Sequence, residues 1–161
     1  MPVFIVSLKT SPQLGFSRNC SIFPFEVKHD QKGIHFSRKG GLHFPQKVEA
    51  YLEKNYSITH RGFDFEIMLS TEAEGALNYV LEHNFHFADY NRVVINGELL
   101  AENGRCDQTD RLEIYDMFMK KKIIITLDRS CDIYYFSLKT LSQSEKGFDL
   151  SIQGVSFAMV V

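Results

Sequence analysis

Residues 109–119 read TDRLEIYDMFM, and the fold class turns on how they are taken. Thr109 can cap a helix by accepting a hydrogen bond from a first-turn N–H, and Leu112, Tyr115, Phe118 and Met119 then align on one side. Leu112-Glu113-Ile114-Tyr115 also alternates, as a half-buried strand does. The helical reading is adopted, and it makes this segment the last of three expected helices.

The other two lie upstream. Pro45 suits a first helical position, and Val48, Tyr51, Leu52 and Asn55 follow at helical spacing, which predicts a short amphipathic helix over 45–55. Thr71 with Glu74 forms a capping box, and Ala73, Leu77, Val80 and Leu81 supply an apolar stripe, which predicts a helix over 72–83. Strands are expected around these helices. Val3 to Leu8 is rich in β-branched and aromatic residues. Cys20 to Lys28 places Phe23, Phe25 and Val27 on one face, with Pro24 demoting it to an edge or bulge. Phe63, Phe65, Ile67 and Leu69 alternate with Asp64, Glu66 and Met68. Asn96-Gly97 between apolar runs marks a two-residue hairpin turn, because both residues tolerate positive φ. Ile123–Leu127, Ile133–Leu138, Phe148–Ile152 and Val155–Val160 complete an antiparallel meander, broken by Asp128 to Asp132 and by a polar loop over 139–147. Together these predict one α+β domain over 1–161: a mostly antiparallel sheet, with Phe63–Leu69 and Ile123–Leu127 central, and about three α-helices.

Composition agrees with a folded globular chain: 161 residues, 44% hydrophobic and 24% charged. No apolar run of about 18 residues occurs, so no membrane helix is expected. The first eight residues lack the features of a secretory leader. Three cysteines, Cys20, Cys106 and Cys131, in unrelated contexts fit thiols in a reducing, cytoplasmic setting.

The phrase Gly-Ile-His-Phe at 33–36 returns as Gly-Leu-His-Phe at 41–44. A hairpin closed within 37–41 would set His35 and His43 on one face, with Ile34, Phe36, Leu42 and Phe44 on the other. Two imidazoles lack the third ligand that a metal needs, so solvent-facing histidines are the simpler reading. His83, His86 and Asp89 have ligand spacing on a helix, but histidines at a helix end are also favoured by the dipole. No metal site and no cofactor are expected. The chain has no nucleophile elbow, phosphate loop or dinucleotide fingerprint. A dispersed catalytic site from His29, His60, Ser130 or Cys131 would have to assemble in space, and no catalytic residue is assigned.

Charge is unevenly spread. Residues 1–61 hold nine basic and four acidic side chains, residues 62–118 hold three and twelve, and residues 119–161 hold six and four. Within the acidic middle, Glu98, Glu102, Asp107, Asp110, Glu113 and Asp116 follow one another, with Tyr90 and Tyr115 as candidate anchors. Such a face repels nucleic acid and steers a cationic protein surface. The expected function is therefore that of a protein-binding inhibitor, a cytoplasmic immunity protein that neutralises a basic, nuclease-type toxin domain through those eight residues. The alternative is a small hydrolase with a His-based site. A third reading uses the basic segment, Lys28, Lys32, Arg38, Lys39, Lys47, Lys54 and Arg61 with Phe36 and Phe44, to bind phosphate or nucleic acid.

Overall fold

The computed structural model describes residues 3–10, 24–44, 46–60, 62–72, 80–144 and 147–160, and among them there is no α-helix. The strands are β1 (Val3–Thr10), β2 (Glu26–His29), β3 (Ile34–Phe44), β4 (Gln46–Thr59), β5 (Gly62–Thr71), β6 (Val80–Phe85), β7 (Val93–Ile95), β8 (Glu98–Leu99), β9 (Asn103–Asp116), β10 (Lys121–Ser144) and β11 (Gly147–Val160). A 3-10 turn, Tyr90–Arg92, is capped by the Asp89 side chain, which accepts from the Asn91 N–H. The α+β expectation with three helices is corrected to an all-β fold.

The two readable helix predictions failed for one physical reason. A short window with large apolar residues on both parities satisfies either period, and the pairing partner decides. In 109–116 the alternation prevails: Leu112 and Ile114 are fully buried and Asp116 nearly so, and Ile114 and Asp116 pair with Ile95 and Val93 of β7. Phe118 and Met119, which a helix would have turned inward, stand about half exposed in the turn after β9. Of the 45–55 prediction, Pro45 lies outside the described residues and 46–55 are in β4, flanked on both sides by antiparallel partners, β3 and β5. Its supposed helical stripe mixes residues from both strand faces. Of the 72–83 prediction, residues 73–79 lie outside the described residues, and Val80 to His83 are strand, paired with β11. The hairpin at Asn96-Gly97 forms as expected, with φ of 47° and 95°. Residues 128–132 do not turn: β10 runs through them, and Cys131 is buried. Of the expected 139–147 loop, residues 139–144 and 147 are strand, since β10 and β11 pair out to Ser144 and Gly147, and residues 145–146 lie outside the described residues.

The chain forms two compact units. The N-terminal unit, Val3–Tyr79 with Ile123–Asp128, has the strand order β2-β3-β4-β5-β1 followed by the first part of β10. Its β2-β3-β4-β5 pairings are antiparallel and β1 joins β5 in parallel. Edge-on and stacked rings link its apolar face: Phe25 to Phe36 at 6.2 Å, Phe36 to Tyr56 at 5.6 Å and Tyr56 to Phe65 at 4.4 Å. Each such pair contributes about 0.5–1.5 kcal/mol beyond area burial.

In the C-terminal unit, β10 from Asp132 onward pairs with β11, β11 with β6, and β9 with β7. Its core is Val93, Ile95, Leu112, Ile114, Ile133, Val155, Phe157 and Met159, all 3% exposed or less.

Candidate functional site

Strand alternation gives the β3-β4-β5 sheet of the N-terminal unit one apolar face and one polar face. The polar face carries His35, Ser37 and Lys39 from β3, Tyr51, Glu53, Asn55 and Ser57 from β4, and Glu66, Met68 and Ser70 from β5. The register sets Lys28, His35, Asn55 and Glu66 side by side across four strands. Their side chains are joined: the His35 Nδ1–H donates to Asn55 Oδ1 at 2.5 Å, and Asn55 Nδ2 donates to Glu66 Oε2 at 3.0 Å. His35 Nε2 lies 3.6 Å from Glu53 Oε1, an ion pair when the ring carries both protons.

Above this row is an open cleft of about 350 Å³ whose walls include Lys28, Asp30, Lys32, His35, Asn55 and Glu66. Its rim is the β2–β3 turn, fixed by the Asp30 carboxylate, which accepts from the Lys32 and Gly33 N–H groups at 2.7 and 3.1 Å. Glycine is required at position 33 because an added Cβ would lie 1.9 Å from the Tyr56 carbonyl oxygen. Further along the same strands a second cleft of about 350 Å³ is walled by Lys39, Tyr51 and Ser70 of the polar face together with Val48, Ala50 and Thr71 of opposite parity. Tyr51 and Asn55 are four residues apart on β4, which separates the two positions by about 13 Å.

The opposite face is apolar, with two cations at its margin. Arg38 and Lys54 sit 4.7 and 5.5 Å from the Phe25 ring centre. Burial, with the Arg38 guanidinium nearby, holds the Lys54 ammonium below the ordinary lysine value, and burial pushes the Tyr56 phenol up. The basic segment is thus divided, with Lys28 and Lys39 on one face and Arg38 and Lys54 on the other. Arg61 and the Phe44 side chain lie outside the described residues.

His35 and His43 are not brought together. Residues 34–44 form one unbroken strand, so the two histidines stand about 26 Å apart along β3. His86 Nδ1 lies 3.1 Å from the Gln153 carbonyl and 3.0 Å from the Tyr90 hydroxyl, while His83 is in β6 and Asp89 caps the 3-10 turn. Among the described residues no group of three His, Cys, Asp or Glu side chains is placed to hold a metal. Cys131 is buried and Ser130 exposed on β10 in the C-terminal unit, whereas His29 and His60 are exposed in the N-terminal unit.

The acidic run is spread over several elements of the C-terminal unit, and three of its six carboxylates form ion pairs there. Glu113 pairs with Lys122 and Arg111, Asp107 with Arg105, and Glu102 with Lys139. Asp116 is buried and accepts from the Met119 N–H at 2.9 Å. Glu98 and Asp110 are exposed, Tyr115 is half-buried, and Tyr90 packs edge-on against Phe87 and His86. Asn55, Glu66, Glu53 and Tyr51 were passed over as site residues. The available signal was the polar parity of Asp64 and Glu66, whose partner row appears only once β4 is taken as a strand.

An all-β chain with open polar clefts on a sheet face falls in the broad class of β-modules. Within it, this chain belongs to the alpha-amylase/4-alpha-glucanotransferase C-terminal family, whose model matches residues 15–161. It is 26% identical over 147 residues to the 4-alpha-glucanotransferase of Thermococcus litoralis, covering 85% of this chain and 19% of that protein. It is 29% identical over 113 residues to an alpha-amylase of Pyrococcus horikoshii, covering 70% and 16%. The crystal structure of the Thermococcus litoralis enzyme superposes with a TM-score of 0.69 at 28% identity, over 86% of this chain and 20% of that one. The chain therefore spans about a fifth of the length of the relatives it matches. These findings overturn the reading of an immunity protein and of a basic toxin as its partner. The internal ion pairs supply the physical reason: Glu102 and Glu113 meet lysines of β10, and Asp107 and Glu113 meet arginines of β9 itself, so half of the six carboxylates of the run are already paired.

Proposed function

We propose that this chain is an accessory β-module of an enzyme acting on α-linked glucan, one that contributes a surface holding the polysaccharide rather than the groups that break its bonds. The observation that carries this reading is the family match over 15–161, together with relatives named for α-glucan chemistry. Its non-catalytic part is supported by the cleft itself. Glycoside cleavage commonly uses two carboxyl groups flanking the scissile bond, whereas here Asp30 is engaged in its own turn, Glu66 with Asn55, and Glu53 faces His35. A cytoplasmic setting belongs to the same proposal. It is supported by the half-buried thiol of Cys106, which accepts from Asn96 Nδ2 at 3.6 Å.

Electrophoresis of the full chain through native gels cast with soluble amylose, or with a β-linked glucan as control, tests the reading. Retardation by amylose alone is expected. Equal mobility in all gels would overturn it.

A further inference from the structure

Resting on that reading, we propose that the polar face of β3–β5 is a track for one linear α-1,4-glucan chain, seated at one end on the Asn55–Glu66 row and at the other over Tyr51. Three features of this face point to such a ligand.

The first is charge balance. The cleft at the Asn55 end sets Lys28 and Lys32 against Asp30 and Glu66. A phosphate entering it would meet two carboxylates, and a metal cation would meet two ammonium groups. A neutral polyol uses both signs, because every hydroxyl donates and accepts.

The second is preorganisation. Asn55 is held from both sides, its oxygen by His35 and one N–H by Glu66. An amide has a second N–H and a carboxylate a second oxygen, so the row keeps one donor and one acceptor for a ligand. Groups already fixed lose little entropy on binding.

The third is Tyr51, which stands on the same face at the wall of the second cleft. Tyr51 is 36% exposed there, beside Lys39 and Ser70. A ring of this kind offers a flat apolar surface with a polar tip, which suits a sugar whose faces are apolar and whose edges are hydroxylated. The separation of about 13 Å between Tyr51 and Asn55 exceeds what a disaccharide lying on the Asn55 row can bridge, so the Tyr51 end should serve only longer chains.

Calorimetric titration of the full chain with maltose and with maltoheptaose tests this, with thermal melting as the check that each variant is folded. Maltoheptaose should bind more tightly than maltose. Asn55→Ala should weaken both sugars by roughly tenfold or more, the loss expected when one well-placed hydrogen bond to a charged network goes. Glu66→Gln keeps the shape of the row and should weaken both in the same direction, which covers the case of an unfolded Asn55→Ala. Tyr51→Ala should weaken maltoheptaose and leave maltose unchanged. If the wild-type chain binds maltoheptaose and none of these substitutions alters its affinity, the track is overturned while the module reading stands. Equal loss of both sugars in Tyr51→Ala, or displacement of glucan by inorganic phosphate, would also overturn it. A wild-type chain that amylose does not retard removes both.

Discussion

Ser156 and Phe157 show how strongly single side chains are constrained in the C-terminal unit. Both are fully buried. The Ser156 hydroxyl donates to Glu82 Oε1 at 2.7 Å, and Phe157 lies edge-on to Phe85 at 5.8 Å and tilted to Tyr135 at 6.0 Å. Phe157→Ala should cost about 3–5 kcal/mol, since both its transfer energy and the cavity left behind count. Ser156→Ala should cost about 0.5–1.5 kcal/mol, the net worth of one hydrogen bond, because Glu82 is exposed and water can replace the lost donor. Urea midpoints of the two variants check both values. Opposite Phe157 stands His83, whose imidazole burial holds below its ordinary value of 6.5. The unfolded chain then takes up a proton near that value while the folded one does not. Its contribution is therefore present above about 6.5 and lost as pH falls from there through the folded value. His83→Gln should flatten the slope of stability against pH in that window, as followed by denaturant titrations at stepped pH.

At the level of elements, β9 offers the sharpest contrast between two periodicities. If residues 109–119 were a helix, Leu112 and Met119 would share its buried stripe. In the strand they part company: Leu112 is fully buried and Met119 is 53% exposed beyond the strand end. Leu112→Ala should therefore cost about 2–5 kcal/mol and Met119→Ser no more than about 0.5 kcal/mol. Comparable losses at the two positions in thermal melts would contradict the strand. The turn at the end of β7 has a similar dependence on one residue. Gly97 has φ of 95°, a conformation that a β-branched side chain adopts only with strain, so Gly97→Val should destabilise the β7–β8 hairpin.

For the whole molecule, acid response should differ between the two units. Asp132 is held below the usual carboxylate range by hydrogen bonds from the backbone and side chain of Gln108, with Arg105 adding to the effect. Glu113 is held low by hydrogen bonds from Lys122 and Arg111. Both link neighbouring strands of the C-terminal unit. Depressed carboxyl groups contribute stability that is present above their unfolded values and lost as pH falls through the folded ones. Hydrogen exchange at stepped pH should thus show β9 and β10 beyond Arg129 losing protection on acidification. Asp132→Asn should reduce the pH dependence of that loss. In the N-terminal unit the charges of the polar face balance locally, so glucan binding there should change little with added salt.

Several features follow from the chain read alone. The alternation of Phe63 to Leu69 declares a strand because one parity is uniformly apolar while the other carries Asp64 and Glu66, and Asn96-Gly97 declares a turn because few other residues tolerate positive φ at both positions. The absence of familiar catalytic motifs is also legible. Residues 45–55, 80–83 and 109–119 were not, because apolar residues on both parities satisfy a period of 3.6 as well as a period of two, and only the hydrogen-bonding partner on either side breaks the tie. The same holds for the site. His35, Asn55 and Glu66 are separated by 20 and 11 residues in the chain, and they form a row only when three strands take one register. Net charge by segment was countable from the sequence, but whether a carboxylate meets a lysine across a strand pair is a property of that register. Tertiary pairing alone decided it, since interactions between adjacent strands depend on which residues lie opposite and not on their order along the backbone.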